Sequence, residues 1–418
     1  MEFCGTALLV LYVIVLTGVF WVGEWIVDKH GTAFLTDFVC FWAGGRIALS
    51  GNPVAVYDPA VFGTIQAPLV GFAHFPGLHP YYPWVYPPTL LLAVAPLGLM
   101  PYVPAFLSWV LATLCLFATA VHKILPRGSA VAIALASPPA FFNVYIGQTG
   151  FLTAAFMGLS LAFMDRRPVL GGIFLGLLTY KPHFGLLFPL VLLVAARWRI
   201  LVSAAATTLI LAGITTLVLG ADTWEAFGRT LIIHFGNNLV QHEMPWGMLQ
   251  TVFGLMRWMG ASSILAWSIH ITIALATVLL VCRLWLRPVS YPLKAAALSL
   301  GSLIVTPYMF SYDLLALCIP AAFLVQDALS SGFMRGERAA LLCCFLALLP
   351  AGVAIPMGPA VTAVLLGLVI RRAHAGEPGR GSSLVEKALI VPPADSTAQR
   401  AKMASRLMLP LGTGRWVV

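Results

Sequence analysis

The segment Pro87-Pro88-Thr89-Leu90-Leu91-Leu92-Ala93-Val94-Ala95-Pro96-Leu97-Gly98-Leu99 decides how this chain is threaded. It is apolar, but a bilayer crossing needs about 20 residues, and Pro87-Pro88 and Pro96 interrupt it. Twelve other apolar runs, bounded by charges or by Gly and Pro, lie near 6–27, 102–122, 129–145, 151–164, 169–180, 184–196, 200–219, 264–285, 295–309, 313–326, 339–354 and 356–370. The basic loops Lys123 to Arg127, Arg166-Arg167, Arg197 to Arg199, Arg283 to Lys294 and Arg335 to Arg338 hold eleven Lys and Arg, and the positive-inside rule puts them in the cytoplasm. The long loops 28–86 and 220–263 each carry two basic and three acidic residues and belong outside. These assignments agree only if 87–99 does not cross. It reads as a re-entrant or interfacial helix on the outer side, with both termini cytoplasmic.

Composition gives the same class. Of 418 residues, 60% are hydrophobic and 9% charged, against about 25% charged in soluble chains, so too few polar groups remain to coat a surface in water. The expected fold is an all-α integral membrane protein of about twelve transmembrane helices with two structured outer loops. Residues 1–370 form one polytopic domain and 371–418 a basic cytoplasmic tail without a packed core. The run from Ala7 to Val22 lacks a basic n-region and a cleavage site, and reads as an uncleaved first span.

A net charge of +9 raises the possibility of nucleic-acid binding. Eight of the 24 Lys and Arg fall after Ile370, and most others sit in short loops between spans, so the charge reads as orientation in a membrane. Cys115, Cys282, Cys318, Cys343 and Cys344 lie in apolar runs, and no Cys-x-x-Cys or Cys/His cluster occurs, so neither disulfides nor a metal is expected. No phosphate-binding glycine loop, dinucleotide fingerprint, Asp-x-Asp or Gly-x-Ser-x-Gly occurs, and no cofactor is expected.

The threading puts the turns Gly147-Gln148-Thr149-Gly150, Lys181-Pro182-His183 and Ser311-Tyr312-Asp313 on the outer side, with the two long loops. Polar groups at membrane depth are costly and usually line a cavity or pathway, so this convergence is a functional signal. In the first loop, Phe38, Phe41, Trp42 and Leu49 share one helical face behind Asp37, and Gly51 can end the helix. The pattern predicts an amphipathic helix lying on the membrane.

The ordered set Asp37-Phe38, Phe41-Trp42, Gly44 to Arg46, Tyr57-Asp58-Pro59, Tyr86-Pro87-Pro88, Ala95-Pro96-Leu97, Gly147-Gln148, Gly172 to Gly176, Lys181-Pro182 and Tyr312-Asp313 resembles glycosyltransferase family 87. That family belongs to the membrane-embedded C-type superfamily, and the chain looks like its polyprenyl-phosphate-mannose-dependent mannosyltransferases. The resemblance implies transfer of a hexose, with mannose foremost, from a polyprenyl-phosphate donor to a hydroxyl of a glycolipid or glycan. The site would face the periplasmic or extracytoplasmic side of the cytoplasmic membrane, among membrane lipids, and no nucleic acid is involved.

Asp37 would be the general base. A lipid-phosphate leaving group needs no protonation, so one carboxylate suffices where hydrolases use two; the competing reading is a plain N-cap. Lys181 would hold the donor phosphate with help from His183 and Arg46, or else snorkel, while Arg46 could equally anchor on lipid headgroups. Gln148 could bind sugar hydroxyls or cap a turn. Tyr312 begins a span, and Asp313 could orient a site group or cap its helix. His234 and His242 are candidates for acceptor contacts in the second loop; no metal is assigned to His242-Glu243, which lacks zinc-site spacing. Asp58 before Pro59 reads as a cap, and Gly172 with Gly176 as a helix-packing pair. The competing class is a secondary transporter or lipid-linked sugar flippase, in which paired inverted repeats are expected. No second copy of the Asp37 loop occurs.

Overall fold

The computed structural model describes residues 2–34, 36–70, 82–240, 245–349 and 355–375. Among them the chain is all-helical, with no strand. Each of the twelve apolar runs carries a helix or a broken helix pair. Five are long and apolar enough to cross a membrane: Gly5–Val22, Tyr102–Ile124, Trp198–Leu219, Ser263–Leu286 and Ser311–Ser331. Local signals set their ends. The Ser262 hydroxyl accepts from the Leu265 N–H at the start of one, and His122 and Lys123 close another, where the helix dipole favours cations.

A sixth candidate span is broken. Gly128–Leu135 and Pro138–Ile146 meet at 61°, because Pro138 cannot donate to the preceding turn and starts a helix instead. Shorter helices occupy the interior. Gly150–Met164 and Tyr291–Val305 are buried along most of their length, and Gly172 and Gly176 let Pro168–Leu177 approach the Ile200 and Ala204 carbonyls of Trp198–Leu219. That close contact is the packing role expected of the pair.

The helix Phe38–Leu49 differs from expectation. Nine of its twelve residues are buried, so it does not lie on a surface with one wet face. The reason is Gly45: a Cβ there would stand 2.6 Å from the Val94 carbonyl and 2.8 Å from the Gly98 nitrogen. Bare backbone thus seats this helix against Pro88–Val94 and Ala95–Leu99, the short helical piece expected at 87–99, while Trp84 packs over Gly44. Gly51, at φ +85°, ends the helix as expected.

The described residues up to Ala373 form one compact unit, and of the stretch after it only His374 and Ala375 are described. The last helix, Gly358–Ala375, runs through the boundary expected after 370. Arg372 is therefore no tail charge. It is buried, with Nη1 2.8 Å from Asp327 Oδ2 and Nε 2.5 Å from Glu337 Oε1.

Candidate active site

Asp37 occupies the N-cap position of Phe38–Leu49, yet its side chain makes no capping hydrogen bond. The residue is half-buried and faces the turn after the broken helix. Gly147 makes that approach possible. At φ +69° its missing Cβ would stand 2.7 Å from Phe38 Cβ, and its carbonyl is fixed by the Trp109 indole at 3.0 Å. The Gln148 amide comes within hydrogen-bonding reach of Asp37. Burial pushes the Asp37 carboxyl up to about 6, while Gln148 and the Lys181 ammonium pull it back.

Lys181 follows the helical turn Leu178–Tyr180 and precedes Pro182. Its Nζ lies 2.7 Å from Asp313 Oδ1, and both side chains are almost fully buried. Tyr312 stands 4.7 Å beneath the ammonium, with Phe184 and Tyr86 just under 6 Å away. Three rings and one carboxylate hold the cation in place. An ammonium has three donors; Asp313 is the single hydrogen-bond acceptor of this one among the described residues.

Two buried amides hold this arrangement. Asn143 donates to the Tyr312 carbonyl at 2.7 Å and accepts from the Gly150 N–H at 2.9 Å. Gln250 donates to the Gly247 and Ile355 carbonyls and accepts from the Gly358 N–H, while its backbone N–H reaches the Met309 carbonyl. Together they fix the 309–313 turn against distant parts of the chain. Ser311 and Asp313 are buried there, and Asp313 Oδ2 also accepts from the Phe310 N–H, so Asp313 both caps and pairs.

A cavity of about 260 Å³ opens beside Lys181, walled by Tyr86, His183, Tyr308, Tyr312 and Asp313. Phe227 and Leu231 of Asp222–Val240 close it on one side. Burial and the neighbouring ammonium push the His183 ring down to about 3, so it is neutral. Asp37 is not part of the cavity wall. It connects to it through Gln148, whose carbonyl oxygen accepts from the Tyr86 hydroxyl at 3.3 Å. A wider, shallow hollow between Arg167 and Arg199 involves none of these residues.

The structure brings together Asp37, Gln148, Lys181, His183, Tyr312 and Asp313, which the sequence placed on one side. Arg46 is exposed and rests 4.9 Å over the Trp42 ring, outside the cavity. His234 lies in the Asp222–Val240 helix with its side chain outside the described residues, and His242 lies outside them altogether. Asp58 accepts from the Ala60 and Val61 N–H groups as a cap. Sequence reasoning missed the clamping roles of Asn143 and Gln250 and the weight of Tyr86. The available signal was polarity in apolar surroundings, since buried amides in such chains demand partners. Among the described residues no group of three His, Cys, Asp or Glu could hold a metal.

A match to glycosyltransferase family 87 extends over residues 84–310, more than half of the chain. The chain belongs to glycosyltransferase family 87. No curated protein and no solved structure matches it. As a family 87 member, the chain is a membrane glycosyltransferase with a sugar donor and an acceptor. The matched span includes Tyr86, Gln148 and Lys181 and stops short of Tyr312 and Asp313.

Proposed function

We propose that this chain transfers a hexose, mannose first among the candidates, from a polyprenyl phosphate to a hydroxyl of a glycolipid or glycan at the outer face of the cytoplasmic membrane. Asp37 accepts the proton of the acceptor hydroxyl as its oxygen attacks the anomeric carbon. The bond from that carbon to the phosphate oxygen breaks on the opposite face, so the anomeric centre inverts. The lipid phosphate leaves with an extra negative charge, which the Lys181 ammonium offsets in a buried setting where such an interaction is strong. Tyr312, Tyr86 and neutral His183 surround the sugar, and the 220–263 segment with His234 and His242 takes the acceptor. Arg46 holds lipid headgroups.

One observation supports this reading: Asp37 and Lys181 are both held in place with bonding capacity left over. Asp37 sits at a helix start without a side-chain capping bond, and the buried Lys181 ammonium has a single hydrogen-bond acceptor among the described residues. The cavity, at about 260 Å³, falls below the 300–1,000 Å³ typical of drug-sized ligands and suits one sugar ring. The proposal includes a C-type fold with twelve crossings, a non-crossing 87–99 and cytoplasmic termini.

The test is transfer from radiolabelled polyprenyl-phosphate hexoses by purified protein in liposomes. Wild type should transfer from one of them, and Asp37→Asn and Lys181→Ala should not. Full activity in Asp37→Asn removes the base, and movement of the donor across the bilayer without transfer favours a flippase.

A further inference from the structure

Gln148 is only 6% exposed, and its amide has one orientation open to it. Its carbonyl oxygen accepts from the Thr149 N–H at 2.8 Å, the Thr149 hydroxyl at 3.2 Å and the Tyr86 hydroxyl at 3.3 Å. An amide oxygen has two lone pairs, so three donors saturate it. Turning the amide over would set its NH₂ group against the Thr149 N–H, which can only donate, and its carbonyl against the Asp37 carboxylate. The NH₂ group is therefore the end that faces Asp37. Gly147 fixes the spacing, because its bare backbone lets the turn close on Phe38, the residue after Asp37.

We propose that Gln148 is the positioning residue of Asp37: Tyr86 and Thr149 hold its carbonyl oxygen so that its NH₂ group orients the carboxylate, and Tyr86 carries this constraint from the cavity wall. Tyr86 has a place in both settings. Its hydroxyl reaches Gln148, and its ring lies 5.9 Å from the Lys181 ammonium on the wall of the cavity. A ligand that presses on Tyr86 is thereby felt at Asp37. The titratable groups around Asp37 are Cys40, Tyr82, Tyr86, Lys181, Tyr308 and Tyr312, of which Lys181 is the single basic one.

The kinetic half of the test rests on Asp37 being the base; the spectroscopic half does not. Infrared titration of purified protein follows the protonated-carboxyl band that Asp37→Asn removes. Its midpoint should lie near 6 in wild type. Gln148→Ala should raise it by about one pH unit, because a hydrogen bond to the ionised form is lost, and Gln148→Glu should raise it further by adding a second carboxylate. Tyr86→Phe should raise it by less than Gln148→Ala and supplies the answer if the Gln148 variants do not fold. In transfer assays the loss caused by Gln148→Ala should be about fivefold greater at pH 6 than at pH 8, with KM for the donor unchanged. A merely structural glutamine would lose activity equally at both. Midpoints unmoved in Gln148→Ala and Tyr86→Phe overturn the inference. Transfer retained in Asp37→Asn overturns the base assignment instead, and the infrared midpoints still decide the link to Gln148.

Discussion

Replacing Asp37 with Asn should stop transfer and stabilise the protein, by an amount that depends on pH. Asn keeps the shape of the side chain and removes its charge. Burial raises this carboxyl from its ordinary 3.8 to about 6, and each tenfold of acidity is worth about 1.4 kcal/mol, so holding the ionised form costs about 3 kcal/mol above pH 7. The folded state binds the proton more tightly than the unfolded one. Wild-type stability therefore falls as pH rises from about 4 to 6 and levels off above that. The Asn variant lacks this slope. Its advantage should be about 3 kcal/mol at pH 7.5 and about 2 kcal/mol smaller at pH 4.5. Because Asp37 as a residue is only half-buried, these are upper figures. Tryptophan-fluorescence melts in detergent at the two pH values measure the difference. An advantage that does not change with pH, or a variant less stable than wild type at pH 7.5, would refute the reasoning.

Asp313→Ala should destabilise by about 3–5 kcal/mol, since it leaves the Lys181 ammonium buried without its carboxylate. Adding Lys181→Met should recover most of that loss in a melt while transfer stays absent. Arg372→Met should cost a similar 3–5 kcal/mol by stranding Asp327 and Glu337, with the pH profile of transfer unchanged. Gly45→Ala should cost about 1–3 kcal/mol in a denaturation melt, because the added methyl meets the Val94 carbonyl and the Gly98 nitrogen, neither of which can swing away. In a cysteine-free background, Lys123→Cys should react with an impermeant maleimide only after the cytoplasmic side is opened. Labelling in intact cells would mean that 87–99 crosses.

Helical content and helix positions were legible because apolar runs and their Pro, Gly and charged boundaries are local. The gathering of Asp37, Gln148, Lys181 and Asp313 was legible as shared sidedness, through the distribution of basic loops. The burial of Phe38–Leu49 was not. Periodicity reports the apolar face of a helix, whereas the opposite face is covered because Gly45 meets Gly98, far along the chain. Arg372 likewise reads as one basic residue among many near the end of the chain. Only folding shows that Asp327 and Glu337 await it. The ion pair of Lys181 with Asp313 joins residues whose separate contexts offered two unconnected helix ends.

The Gln250 clamp bears on how the protein is made. Asn143 can hold the 309–313 turn from before it in the chain, but Gln250 is itself fully bonded only once the Ile355 carbonyl and the Gly358 N–H reach it. Every residue proposed to touch the sugar has left the ribosome well before then. A nascent chain is thus expected to carry its ammonium and carboxylate through insertion with one of the two amide clamps still incomplete, so that truncation before 355 should loosen the wall of the pocket.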